Sequence, residues 1–163
     1  MSMGKSELRT ELTARRLNET DAERKSRLIA GHLRDMVDWS KVHKVHIYQS
    51  NLGRKEVDTQ PIIDYLRHNW PETRVVIPPF KPGLSISTES YDVIIIPCLG
   101  FDKDRYRLGL GGGFYDRFLA KQPQAQKVGL AYDSALIKKL PRQPHDMRLD
   151  MIITEKNIYK DVS

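Results

Sequence analysis

One cysteine stands in the whole chain, so no internal disulfide can brace the fold and no thiolate cluster can hold a structural metal. That residue, Cys98, closes a hydrophobic stretch, where a buried inert thiol is the expected state rather than an activated nucleophile. Long apolar runs are missing as well. No stretch approaches the roughly 20 residues that a membrane-spanning helix needs, and the polar, charged N-terminal segment is unlike a secretory signal. A cytoplasmic protein with no membrane partner is the expectation. The five histidines form no His-Glu-x-x-His or other ligand spacing, and no Ser-His-Asp set or catalytic-cysteine signature stands out. Zinc-finger spacing, an aromatic nucleic-acid-binding strand and a convincing helix-turn-helix are absent too. So are internal repeats, long linkers and low-complexity tracts.

What remains describes an ordinary globular chain with a basic bias. At 163 residues, with 39% apolar and 29% charged, residues 1–163 suffice for one domain with a real core and no covalent staples. The net charge of +6 favours anionic partners without choosing among them. Arg15, Arg16, Arg24, Lys25 and Arg27 are interleaved with acids on the first two helical segments, a pattern read as a solvated face, and nucleic acid is therefore disfavoured.

Helices and strands alternate along the chain. Residues 5–17 read as a helix with Leu8 and Leu12 one turn apart and Lys5 and Arg9 together on a neighbouring face. Thr20-Asp21-Ala22-Glu23 has the form of a capping box, and Leu28, Ile29, Leu33, Met36 and Val37 supply the apolar face of the helix that follows. Residues 43–48 read as a strand, 61–69 as a helix begun near Thr59, and 74–77 as a second strand. A strand over 91–97, a helix to about Ala120, a strand over 128–132, a short helix near Leu136 and a strand over 151–154 complete the order. Continuous apolar runs such as Val93 to Ile96 suit strands covered on both faces. The expected fold is an α/β three-layer, Rossmann-like sandwich with a mostly parallel sheet, whose ligands gather at the carboxyl ends of the strands.

Between the third strand and the helix that follows lies the most informative run, Arg107-Leu108-Gly109-Leu110-Gly111-Gly112-Gly113-Phe114-Tyr115-Asp116-Arg117. Glycines at 109, 111, 112 and 113 remove the Cβ atoms that would keep a phosphate from the backbone N–H groups at a helix start, where the dipole favours negative charge. Arg107 and Arg117 add charge on either side, and Asp116 stands where it can hold a nucleotide's metal ion. The spacing is neither that of the lysine-bearing P-loop nor a good dinucleotide fingerprint, since about ten residues separate strand from glycines. A flexible turn before a helix is the competing reading.

The run resembles the signature of the 5-formyltetrahydrofolate cyclo-ligases, also called methenyltetrahydrofolate synthetases, whose usual form is Arg-Leu-Gly-Tyr-Gly-Gly-Gly-Tyr-Tyr-Asp-Arg. Leu110 and Phe114 stand where that form has tyrosines. Residues 95–102 (Ile-Ile-Pro-Cys-Leu-Gly-Phe-Asp) resemble the family's strand and Phe-Asp turn. Lys5 and Arg9, Tyr48 with Glu56-Val57-Asp58-Thr59, and Pro144-His145-Asp146 ahead of Asp150 to Glu155 extend the likeness over nearly all of the chain.

The resemblance implies an α/β enzyme that uses ATP and Mg2+ to cyclise 5-formyltetrahydrofolate to 5,10-methenyltetrahydrofolate. It implies that Lys5, Arg9, Arg107, Gly109, Leu110, Gly111, Gly112, Gly113, Phe114 and Asp116 bind ATP, with Asp116 on magnesium and Arg107 and Asp116 catalytic. Tyr48, Glu56 and Tyr115 would face the folate. ATP and a polyglutamylated folate both suit the basic charge, and a monomer or weak homodimer is expected. Lys5 and Arg9 also fit an exposed amphipathic helix, Tyr48 an ordinary core aromatic, and His145 a structural turn. One departure is plain: between Pro78 and Tyr91 the family usually carries several dozen residues that help wall the folate pocket, and here only Pro79 to Ser90 stand there, with Phe80, Leu84 or a partner chain as replacements for the wall. A divergent ATP-using enzyme for another small carboxylated or formylated molecule, and a non-catalytic nucleotide or folate binder, remain alternatives.

Overall fold

The computed structural model describes residues 3–78 and 89–162; Phe80 and Leu84 lie outside the described residues. Five strands run parallel: β1 (Lys44–Ile47), β2 (Arg74–Val76), β3 (Val93–Pro97), β6 (Gln126–Leu130) and β7 (Met151–Ile153). A sixth, β8 (Ile158–Lys160), pairs antiparallel with β7, and the sheet order is β2-β1-β3-β6-β7-β8. A small antiparallel hairpin, β4 (Gly100–Phe101) with β5 (Arg107–Leu108), stands apart from the sheet.

Alternation along each strand divides the core into two layers. Val93 and Ile95 of β3 point with Val45, Ile47, Val128 and Leu130 toward helices α2 (Ala22–Met36) and α3 (Gln60–Asn69), which contribute Ile29, Leu33, Ile62 and Leu66. Ile94 and Ile96 point the other way, onto Phe118 and Leu119 of α4 (Phe114–Ala120). Helices thus cover both faces of a mostly parallel sheet, which is the expected three-layer α/β arrangement. The first helix, α1 (Lys5–Leu17), packs Leu8 and Leu12 against Leu99, Leu108 and Leu140 beyond the carboxyl ends of the strands. No helix among the described residues is long and apolar enough to cross a membrane.

Several local expectations are corrected. The capping box does not form: Asp21, not Thr20, stands at the N-cap with φ 56°, a left-handed conformation that Asp tolerates, and its carboxylate turns to Arg24 instead of capping. Leu28 is half-exposed, because it lies about 100° around the helix from Ile29 and outside the arc of Ser26, Ile29 and Leu33 that meets the sheet. The short helix near Leu136 is a single 3-10 turn, Asp133–Ala135. Nor is the basic run on α1 and α2 uniformly solvated. Arg16 is buried, and Lys25 pairs with the buried Glu19.

Candidate active site

The residues between β3 and the glycines are a built device rather than a loose loop. Asp102 closes the hairpin turn by accepting the Asp104 N–H at 3.0 Å and the Tyr106 N–H at 3.3 Å. Arg105, with φ 69°, fixes the same turn to Leu149 through Nε and the Leu149 carbonyl at 3.0 Å. The hairpin returns the chain to the end of β3, where Arg107 Nε donates to Pro97 O at 3.1 Å. The Arg107 guanidinium lies 5.4 Å from the centre of the Tyr115 ring.

From there the glycine loop crosses the carboxyl edge of the sheet. Arg9 Nε donates to Gly109 O at 3.0 Å, and Arg117 Nη1 donates to Gly112 O at 2.9 Å. Two positions require glycine by conformation, Gly111 at φ 111° and Gly113, the N-cap of α4, at φ 67°. At Gly109 a Cβ would lie 2.4 Å from Arg107 Nη2, so the tip of that arginine would have to shift. At Gly112 a Cβ would meet nothing within 4 Å. Helical bonding begins only with Arg117 N–H to Gly113 O, and from Gly111 to Asp116 no backbone N–H finds an acceptor among the described residues. A row of N–H donors without acceptors among the described residues, flanked by Arg9 and Arg107, has the chemistry to receive an anion. Leu110 is exposed at its rim, and Phe114 packs against Tyr115 and Phe118.

Lys5, one turn before Arg9, reaches a different segment: its Nζ lies 2.6 Å from Asp146 Oδ2, which also accepts the Gln143 N–H at 2.8 Å. Burial raises the Asp146 pKa, but the hydrogen bonds from Lys5 and Gln143 and the charges of Lys5 and His145 outweigh it, and the net shift is downward. The next residue, Met147, donates its N–H to Asp116 Oδ1 at 3.1 Å. The 143–147 turn therefore ties Asp116 to Asp146 and Lys5.

Beside the loop, also at the carboxyl edge, a narrow cleft of about 10 Å³ is lined by Tyr48, Glu56, Cys98, Tyr132, Leu12 and Arg16 among others. Tyr48 is buried and its OH donates to Val57 O at 2.7 Å, so it offers the cleft a ring and no free donor. Burial, with the negative field of Glu56 behind it, raises its pKa well above the ordinary tyrosine value. Tyr115 is pushed up to about 12 by burial, with Arg107 pulling down and Glu56 adding to the rise. Cys98 is pushed up to about 11 by burial, opposed by Arg107, which makes it the inert thiol the sequence suggested. Glu56 accepts the Asn51 N–H on Oε2 at 2.8 Å, closing the 51–56 turn.

Two residues stand differently from the sequence reading: Arg16, read as part of a solvated face, is buried and lines the cleft, and Asp146, read only within Pro144-His145-Asp146, pairs with Lys5. Arg16 had a signal: Leu8, Leu12 and Arg16 recur at a spacing of four, so the arginine continues the buried stripe of α1. Burial lowers its pKa, with Glu56 opposing, yet a guanidinium stays charged.

An open, mostly parallel sheet covered by helices on both faces, with a glycine-rich loop and a small cleft at its carboxyl edge, defines the class: an α/β domain of the kind that binds its ligands at that edge. Comparison with known proteins narrows this. Residues 81–155 match the family model of the 5-formyltetrahydrofolate cyclo-ligases. The 5-formyltetrahydrofolate cyclo-ligase of Escherichia coli strain K12 is 32% identical, over 72% of this chain and 81% of that protein. A solved structure of 5,10-methenyltetrahydrofolate synthetase from Aquifex aeolicus superposes with a TM-score of 0.76 at 29% identity, covering 97% of this chain and 93% of the other. The Mycoplasma pneumoniae synthetase gives 0.78 at 26% identity, with 94% and 99% covered. The chain belongs to the 5-formyltetrahydrofolate cyclo-ligase family.

Proposed function

We propose that this chain, acting as one domain over residues 1–163, uses ATP to cyclise 5-formyltetrahydrofolate to 5,10-methenyltetrahydrofolate, releasing ADP and phosphate. The observation that carries the reading is the row of free N–H groups from Gly111 to Asp116, flanked by Arg9 and Arg107 and adjoining the cleft that holds Glu56. The formyl oxygen is a poor leaving group until it is phosphorylated by the γ-phosphate of ATP. N10 of the same substrate then attacks the activated carbon, a C–N bond forms, and the C–O bond breaks with loss of phosphate. Both nucleophiles belong to the substrate, so the protein's task is alignment and charge neutralisation.

In this reading Lys5, Arg9, Arg107 and the stretch Gly109 to Phe114 hold the nucleotide. Arg107, fixed by Pro97 O and backed by Tyr115, neutralises the transferring group. Tyr48, Glu56 and Tyr115 wall the folate side. Magnesium fits the donors present, since it takes one or two carboxylates and completes its shell with waters and phosphate oxygens. Asp116 would supply one oxygen, beyond the one occupied by Met147 N–H. When bound, the ion would screen the phosphate charge. We place the chain in the cytoplasm as a monomer or weak homodimer.

The brevity of the chain between Pro78 and Tyr91 favours one second reading, another small carboxylated or formylated substrate in the same site. One assay separates the two. Protein, 5-formyltetrahydrofolate, magnesium and ATP are mixed, and the near-ultraviolet absorbance of the methenyl product is followed with ADP release. Matched appearance of both supports the cyclisation; ATP binding without methenyl product refutes it and selects the second reading.

A further inference from the structure

The turn that carries Met147 lies in residues 137–149, a strap that forms no helix or strand. Its order comes from one place, the hairpin turn at 102–106. Ahead of the 143–147 turn, Leu140 N–H donates to Asp102 Oδ2 at 2.9 Å, and Arg142 Nη2 reaches the same oxygen at 3.3 Å and Asp104 Oδ2 at 2.5 Å. The Arg142 guanidinium lies 4.1 Å from the centre of the Tyr106 ring. Behind the 143–147 turn, Arg148 Nε donates to Asp104 O and Leu149 N–H to Arg105 O, both at 3.0 Å. The hairpin turn that delivers Arg107 to the glycine loop therefore also anchors, on both sides, the segment that meets Asp116.

The two anchors differ in what they serve. The rear one uses Arg105, a buried residue that the fold needs. The forward one closes on Asp102, a buried carboxylate that accepts three backbone N–H groups and has Arg142 as its one ion-pair partner among the described residues. Arg142 makes no hydrogen bond to the glycine loop or to Asp116, so whatever it does there passes through the strap. Resting on the cyclisation reading above, in which Lys5 and Asp116 serve the nucleotide, we infer that Arg142 is a positioning residue. By clamping the strap to Asp102 and Asp104 it keeps Met147 N–H on Asp116 and Asp146 on Lys5. Misplacing a reacting group by about 1 Å can cost on the order of a hundredfold in rate, so a loosened strap is felt at the chemistry.

Two variants separate the clamp from the fold. Arg142→Met leaves a side chain over Tyr106 and removes the clamp, while Arg142→Lys keeps a charge beside Asp102 and Asp104. Asp102 retains its three backbone donors in both, so the hairpin is expected to fold. Amide exchange resolved by NMR on the full chain without ligands reads Met147 and Gln143 individually, with the amides of β6 and β7 as reference. In Arg142→Met, exchange at Met147 and Gln143 is expected to be about tenfold faster with the sheet unchanged. The kcat for cyclisation should fall about tenfold with the KM for 5-formyltetrahydrofolate unaltered, and Arg142→Lys should restore most of both. Parent-like exchange at Met147, acceleration shared by the whole sheet, or faster exchange with parent-like kcat would each overturn the assignment while an active parent upholds the cyclisation reading. A parent protein that turns over no 5-formyltetrahydrofolate overturns that reading and the inference with it.

Discussion

Arg9 lies against Gly111. A methyl group added at that glycine would come within 3.3 Å of Arg9 Cζ, while Arg9 Nε donates to Gly109 O at 3.0 Å. Helix α1 and the glycine loop thus fix one another, although the residues are about a hundred positions apart in sequence. Gly111→Ala would strain the backbone at φ 111° and make the Arg9 guanidinium give by a few tenths of an ångström. Stability is expected to fall by about 1–3 kcal/mol and the KM for ATP to rise about tenfold, as for loss of a charge-assisted contact of roughly 1.4 kcal/mol. Urea denaturation and initial rates against ATP check both. An unchanged KM in a destabilised protein would mean that Arg9 serves the fold alone.

Asp116 accepts Met147 N–H on Oδ1 at 3.1 Å. Asparagine can keep that bond and removes the charge, so Asp116→Asn separates the metal role from the structural one. Its thermal midpoint should match the parent within a degree or two, while magnesium-dependent turnover drops about a hundredfold, the scale of losing one fixed electrostatic contact. Asp116→Ala should lose both. Full turnover in the asparagine variant across a magnesium titration would remove Asp116 from the metal.

His46 is buried with Nε2 finding no partner among the described residues, beside the rings of Phe118 at 4.8 Å, Tyr91 at 5.4 Å and Tyr115 at 6.0 Å. Burial lowers its pKa from 6.5 to about 4. Between those values the unfolded chain binds a proton that the folded chain refuses. Stability therefore declines as pH falls through this window, by up to about 3 kcal/mol. His46→Leu should flatten that part of the decline, seen as a smaller stability difference between pH 7 and pH 4.5 in urea titrations. Parallel pH curves for the two proteins would show that His46 carries a proton in the fold.

Much of this architecture was legible because it follows from periodicity. Buried runs such as Val93 to Ile96, and Leu8 with Leu12, announce strands and helices directly, and the glycine cluster marks a backbone that must turn where Gly111 and Gly113 take positive φ. Other features depend on distant partners. Thr20 and Glu23 fit a capping box locally, yet the turn places Asp21 at the N-cap. The hairpin of β4 and β5 is two residues per strand, too short for alternation to register, and is held by Asp102 and Arg105. Strand β8 is half-exposed, so its apolar signal is weak. Asp146 registers in the sequence only as part of Pro144-His145-Asp146, because its pairing with Lys5 joins residues far apart in the chain.

Gly112 offers the sharpest test of the anion cradle, because the fold makes no demand on it. A Cβ there meets nothing within 4 Å, and its φ is not in the left-handed region that marks Gly111 and Gly113. Substitution therefore acts on a ligand and hardly on the protein. Gly112→Val should change stability by no more than about 0.5 kcal/mol, as for other substitutions at open surface positions. Its branched side chain would stand over the free N–H row from Gly111 to Asp116, and kcat/KM for ATP should fall by about a hundredfold. The affinity for 5-formyltetrahydrofolate in the absence of ATP should be unaffected, since the cleft of Glu56 and Arg16 does not include Gly112. Calorimetric titration with each ligand separately reads the two effects. Parent-like ATP affinity in this variant would reduce the glycine run to a turn, and would move the phosphate site elsewhere on the sheet edge.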